Sequence, residues 1–216
     1  MEIYGNALVT SGAFMLSSLS PQPKDIRIGV LADSHIPHRI PCMPPRVYEL
    51  LQGSDLILHA GDLEDPAILD DLRKIAPVHA VRGNLHWQFS LGTHDQDLPR
   101  DCTVRLGGHV IWMSHGHLHF GYTVIDKLAV LKKKQKFDAI NKLIVSRLSK
   151  AKVAEADLVI FGHSHKPCAV QHKGALFFNP GAVTGAGDET KMFVPPSIGF
   201  LTLAGDGEVR HEWVAI

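Results

Sequence analysis

Seven side chains in this sequence are of the kinds that bind divalent cations, and each follows an apolar run: Asp33 and His35, Asp62, Asn84, His115, and His163 with His165. They offer carboxylate, amide and imidazole donors and no thiolate. Such a set suits hard or borderline ions such as manganese, iron, zinc, nickel or magnesium. Singly, the fragments are weak, because Asp-x-His and Gly-Asp arise by accident and a lone histidine is more often a satisfied core or surface residue. The most specific fragment is "LVIFGHSHKP" (158–167), where four apolar residues run into a glycine and then two imidazoles one residue apart. A solvated strand end is the bland explanation, and two ring nitrogens wanted at one place is the sharper one. The fragments taken together, each led in by a strand pattern, favour a metal.

Such residues need a scaffold that ends several strands at one edge. "IRIGVLAD" (26–33), "SDLILHAGD" (54–62) and "PVHAVRGN" (77–84) read as strands. Between them, "PPRVYELLQG" (44–53) and "DPAILDDLRKI" (65–75) read as helices, the second with Asp65 as N-cap and Pro66 in its first turn. Strand, helix, strand, helix, strand implies βαβ crossovers and a parallel sheet, whose strand ends are where α/β proteins build sites. The second half changes character. "HVIWMSHG" (109–116) is a strand, a long helical stretch runs from about Gly121 to Ala151, and "DLVIFGHSH" follows. Four short strand-like pieces with glycine-rich turns then suggest antiparallel pairing, and "GAVTGAGDET" (181–190) reads as a loop. Strand alternation along "DLVIFGHSH" (157–165) makes His163 and His165 face similarly.

Composition narrows the class. The chain has 216 residues, 45% hydrophobic and 20% charged, which is ordinary globular material for one domain. Lys plus Arg equals Asp plus Glu, at 22 each, which argues against a chain built to coat nucleic acid or an anionic membrane. Histidine is the outlier, with 14 residues. Cys42, Cys102 and Cys168 are scattered and odd in number, so a disulfide framework or thiolate zinc site is not expected and a reducing cytoplasm is. Residues 1–24 lack a basic start and read as a flexible or loosely docked extension, with residues 25–216 as a single domain.

The motifs "DSH", "GDLED", "RGN", "SHGH" and "FGHSH", followed by "NPG" (179–181), resemble the calcineurin-like metallophosphoesterase superfamily and, within it, the small YfcE-type phosphodiesterase branch. The resemblance runs from about Ile26 to the C-terminus. It implies an α/β fold, a four-layer α/β/β/α sandwich with two mixed central sheets. It also implies two divalent metal ions, manganese foremost, with iron, zinc, nickel or magnesium as alternatives. Carried over residue by residue, Asp33, His35 and His165 hold one ion, Asn84, His115 and His163 hold the other, and Asp62 bridges both. The implied catalytic residues are Asp62, Asn84 and His115, and the implied substrate contacts are Asn84 and His117. The expected reaction is hydrolysis of a small phosphate ester, a diester first, by a metal-bridging hydroxide.

Two departures bear on the substrate. Larger members follow Gly-Asn with a histidine able to protonate the leaving group. Here that position is Leu85, as the small branch also lacks it, and His86 reads as a solvated loop residue. Ala182 stands where the family often has serine after Pro-Gly, which weighs against phosphate contacts from that loop. His59 reads as a structural hydrogen-bonding residue, His119 as exposed, and Arg82 as either a phosphate contact or half of an ion pair. His38, His79, His94, His109, His172 and His211 read as loop or surface positions without a role. The lysine-rich segment 127–152 reads as a solvated helix face, with attraction of a polyanion as the alternative. The alternative function is a protein-interaction scaffold of the same fold with vestigial metal binding, as in the retromer subunit. A nuclease is disfavoured by the neutral charge, and the state of oligomerisation is open.

Overall fold

The computed structural model describes residues 24–83, 98–117, 122, 136–151, 155–188 and 191–216. Two five-stranded mixed sheets lie face to face. The first has the order β12(Val209–Ala215), β11(Ser197–Leu203), β1(Ile26–Leu31), β2(Leu56–His59), β3(Val78–Ala80). In it β1, β2 and β3 run parallel, as the alternation of strands with α1(Pro45–Leu51) and α2(Ala67–Arg73) requires. The second has the order β4(Asp101–Leu106), β5(His109–Ser114), β6(Leu158–Ile160), β8(Ala175–Asn179), β7(Cys168–His172). Its three central strands are parallel and its two edges antiparallel.

The period-2 geometry of a strand explains why almost every central position is apolar. Ile28 and Val30, Leu56 and Leu58, Ile111 and Met113, Leu158 and Ile160, and Leu176 and Phe178 meet between the sheets. The intervening Leu31, Ile57 and Phe200 turn outward, onto Val47 and Leu51 of α1 and Leu69 and Leu72 of α2. Trp112, Val159, Phe161 and Phe177 turn outward from the second sheet, onto Ile144, Val145 and Leu148 of α3(Lys136–Leu148). Helix, sheet, sheet, helix is the four-layer α/β/β/α sandwich, with one core between the sheets and one under each helical layer.

The structure also adds to the sequence expectation in three places. The late strand β11 pairs antiparallel with β12, as its glycine-rich surroundings suggest, and also antiparallel with β1 at the centre of the first sheet. Residues 101–106 form the edge strand β4, whose exposed and half-buried residues alternate. The expected loop 181–190 contains β9(Ala186–Asp188), which pairs with β10(Lys191–Val194). Within the long helical stretch, α3 lies at 136–148 and residues 123–135 fall outside the described residues. Leu143 is 38% exposed, because Ile140, Ile144 and Leu148, each four apart, form the buried stripe.

Candidate metal centre

The loops leaving β1, β2, β5 and β6 meet at one edge of the sandwich and are laced together by their backbones. Asp33 N donates to Gly61 O (3.0 Å), His35 N to Asp62 O (3.0 Å) and Gly162 N to His115 O (3.2 Å). His163 N donates to Asp33 Oδ2 (3.0 Å). Among the described residues, seven non-glycine positions have left-handed backbone, and six belong to these loops: Asp33, His35, Asp62, Glu64, His163 and His165. Left-handed backbone costs about 1–2 kcal/mol at each such residue, a strain that surrounding structure must over-determine and that collects at functional sites. Gly83 explains how closely the loops approach, since a Cβ there would overlap the Asp62 carboxylate and stand 2.6 Å from Asp62 Cα.

Three imidazoles are anchored through Nδ1. His35 Nδ1 donates to Glu64 Oε1 (2.8 Å), His115 Nδ1 to Ala60 O (2.7 Å) and His165 Nδ1 to Gly185 O (2.7 Å). With the proton committed to Nδ1, each ring presents the lone pair of Nε2 to the centre. His165 Nε2 lies 3.2 Å from Asp33 Oδ1, and His115 Nε2 lies 3.3 Å from Asp62 Oδ2. His35 Nε2 lies 3.5 Å from Asp62 Oδ2, 3.9 Å from Asp33 Oδ1 and 3.3 Å from His165 Nε2. Acceptors therefore face acceptors, an arrangement that only a proton or a cation makes favourable.

Asp33 Oδ1 is fully buried and accepts no hydrogen bond of good geometry. A buried anionic oxygen is costly when unsatisfied, so this atom fits a cation ligand. Two groups of donors are close enough to share an ion: Asp33, His35 and His165, and Asp33, Asp62 and His115. Without an ion, protons take its place. Burial disfavours charge on His115, but Asp62, Asp33 and the bond to Ala60 O outweigh it and raise its pKa to about 9. Burial likewise opposes a charged His165, yet Asp33 and Gly185 O raise its pKa. Burial would raise the Asp33 carboxyl, but His165 and His115 hold it at about 2.

The first group is the set expected for one ion. Of the second set, His115 lies with Asp62, while the His163 ring stands beside it, 5.3 Å from the His115 ring. Asn84, His86 and His94 lie outside the described residues, as do His119 and residues 1–23. The sequence expectation gives the bridging position to Asp62. Among the described residues, Asp33 is the one common to both groups. The His117 ring packs against His115 and His163 (5.3 and 6.0 Å), and burial together with their charge pushes its pKa down to about 3.

Other expected positions resolve into supports. His59 is buried, with Nε2 3.1 Å from Ser34 Oγ, and burial pushes its pKa to about 4. Asn179 of the Asn-Pro-Gly turn donates to Gly162 O (2.9 Å) and Ser164 Oγ (3.0 Å), bracing the loop that carries His163 and His165. His38 and His109, expected to have no role, both meet carboxylates: His38 Nδ1 meets Glu64, and His109 Nδ1 lies 2.7 Å from Asp157 Oδ2. Glu64 is a further functional residue that the sequence does not mark as a ligand. Its buried carboxylate spans His35 and His38, and its place two residues after the Gly-Asp was the only signal for it.

Fold and site together define an α/β/β/α domain with two overlapping groups of candidate metal ligands at one edge. The model of the calcineurin-like phosphoesterase superfamily domain matches residues 26–201, and the chain belongs to that superfamily. A probable metallophosphoesterase from Methanothermobacter thermautotrophicus is 28% identical over 180 residues, covering 83% of this chain and 87% of the relative. Vacuolar Protein Sorting 29 from Cryptosporidium parvum has the same fold, with a TM-score of 0.59 at 22% identity over 89% of this chain and 98% of that one. Vps29 from Entamoeba histolytica, solved complexed with zinc, gives a TM-score of 0.55 at 25% identity over 88% of this chain and 99% of that one. No helix among the described residues is long and apolar enough to cross a membrane.

Proposed function

We propose that this chain is a dinuclear metal-dependent phosphodiesterase. The observation that carries the reading is the buried Asp33 Oδ1, faced by the Nε2 atoms of His165, His35 and His115. Asp33, His35 and His165 would hold one ion, and His115 with Asn84 and His163 the other, with Asp62 or Asp33 shared between them. Bound there, two divalent ions supply an activated water as nucleophile and neutralise charge on the phosphoryl oxygens.

The side chains do the rest by holding position. Glu64, Ala60 O and Gly185 O fix three ring orientations before any substrate arrives. Position 85 is leucine, which cannot protonate a departing alkoxide, and His117, its pKa pushed down to about 3 by burial and by its histidine neighbours, is neutral at physiological pH. That favours substrates with good leaving groups.

The test is a screen of bis(p-nitrophenyl) phosphate and p-nitrophenyl phosphate with manganese, zinc, nickel, iron and magnesium, on the native protein and His165→Ala. The reading expects the diester to turn over faster, with the variant at least about a hundredfold slower. Bound ions with no turnover of any ester would leave the reading as a protein-interaction scaffold.

A further inference from the structure

Arg39 has no place in the chemistry so far. Its backbone N–H closes on His35 O (2.8 Å), so one turn of chain carries both a metal ligand and this arginine. The residue is exposed, and its guanidinium reaches His165, with Nη1 3.3 Å from Nδ1. That contact gives the arginine little. The Nδ1 proton already lies against Gly185 O at 2.7 Å, so no lone pair remains there to accept. If Nδ1 accepted instead, Nε2 would carry the proton toward Asp33 and be lost as a ligand. Among the described residues Arg39 meets no carboxylate, and its planar fork of five donors is left for an anion from outside.

The position says which anion. An imidazole separates the guanidinium from the Nε2 edge where an ion is held, so Arg39 stands beside the metal pocket and not within it. An oxygen gripped by the ions would lie on the far side of the His165 ring. The next anionic group along the substrate is the one that meets the arginine. Resting on the dinuclear reading above, we infer that Arg39 binds a second phosphoryl group adjoining the scissile one, so that the substrate class is pyrophosphate-bearing esters such as those of nucleoside diphosphates. Charge favours this pairing: two dications outweigh Asp33 and Asp62, and the guanidinium adds a further positive charge at the rim.

The experiment is equilibrium binding of ADP and AMP to the manganese-loaded protein by calorimetry, for the native chain, Arg39→Ala and Arg39→Lys, with bound manganese counted for each. Expected are two ions in all three proteins, and ADP affinity falling at least about tenfold in Arg39→Ala with less than a twofold change for AMP. Arg39→Lys should recover part of the ADP loss, as a point charge without the fork. Equal losses for ADP and AMP would place Arg39 on the scissile group, no loss for either would remove it from the substrate, and loss of manganese would make it a support for His165. Each of these overturns the inference. A native protein that takes up no manganese instead overturns the dinuclear reading beneath it, and metal content separates the two failures.

Discussion

Glu64 gives the sharpest test of how the centre is built. Its side chain is 6% exposed, with Oε1 accepting from His35 Nδ1 at 2.8 Å and Oε2 against His38 Nδ1. In Glu64→Ala the buried His35 N–H loses its acceptor, at a cost of about 1–3 kcal/mol, and the ring is free to move its proton to Nε2. A carboxylate behind a ligating histidine is worth about 10–100-fold in metal affinity, or about 1.4–2.8 kcal/mol. Glu64→Gln keeps the shape and an amide oxygen toward His35 but loses the charge, so its loss should be smaller. The assay is competition for manganese or zinc against a chromogenic chelator at fixed pH, with the metal-free thermal midpoint as a control on folding. If Glu64→Ala binds metal within twofold of the native chain, the anchoring of His35 is not what prepares the site.

Protons compete with the metals here, so pH should expose the centre. The pKa of His115 is raised from 6.5 to about 9, so its contribution to metal-free stability is full below about pH 6.5 and is lost as pH rises through 9. Thermal melts in chelator should therefore fall across that window, while metal affinity measured by calorimetry climbs over it and levels off above. Asp33 is lowered from 3.8 to about 2, so its contribution is present above about pH 4 and is lost as pH falls through 2, seen as an acid limb missing from Asp33→Asn. Gly83→Ala should cost about 1–3 kcal/mol in denaturant melts and weaken metal binding, because the added methyl displaces Asp62.

Much of this was legible in the sequence because ligands and strands are coupled locally. An apolar run that ends on Gly-Asp or Gly-His declares both a buried strand and what stands at its end, and the described candidate ligands gather where those runs stop. The pairing of β11 with β1 was not legible, since nothing local says which strand a late antiparallel segment will join. Strand β4 carries a weaker signal, since Cys102, Val104 and Leu106 alternate with polar residues in the pattern of an edge exposed on one side. Glu64, His38 and Arg39 stayed hidden for another reason. Each acts on a partner that the fold, not the spacing, brings to it: Arg39 reaches His165 across 126 positions of chain.

The most direct measurement is anomalous diffraction from crystals grown with manganese or zinc. The account predicts two ions about 3.5–4 Å apart, one on His35 and His165 and the other on His115, with Asp33 or Asp62 between them. A single ion, or ions bound away from these residues, would contradict it.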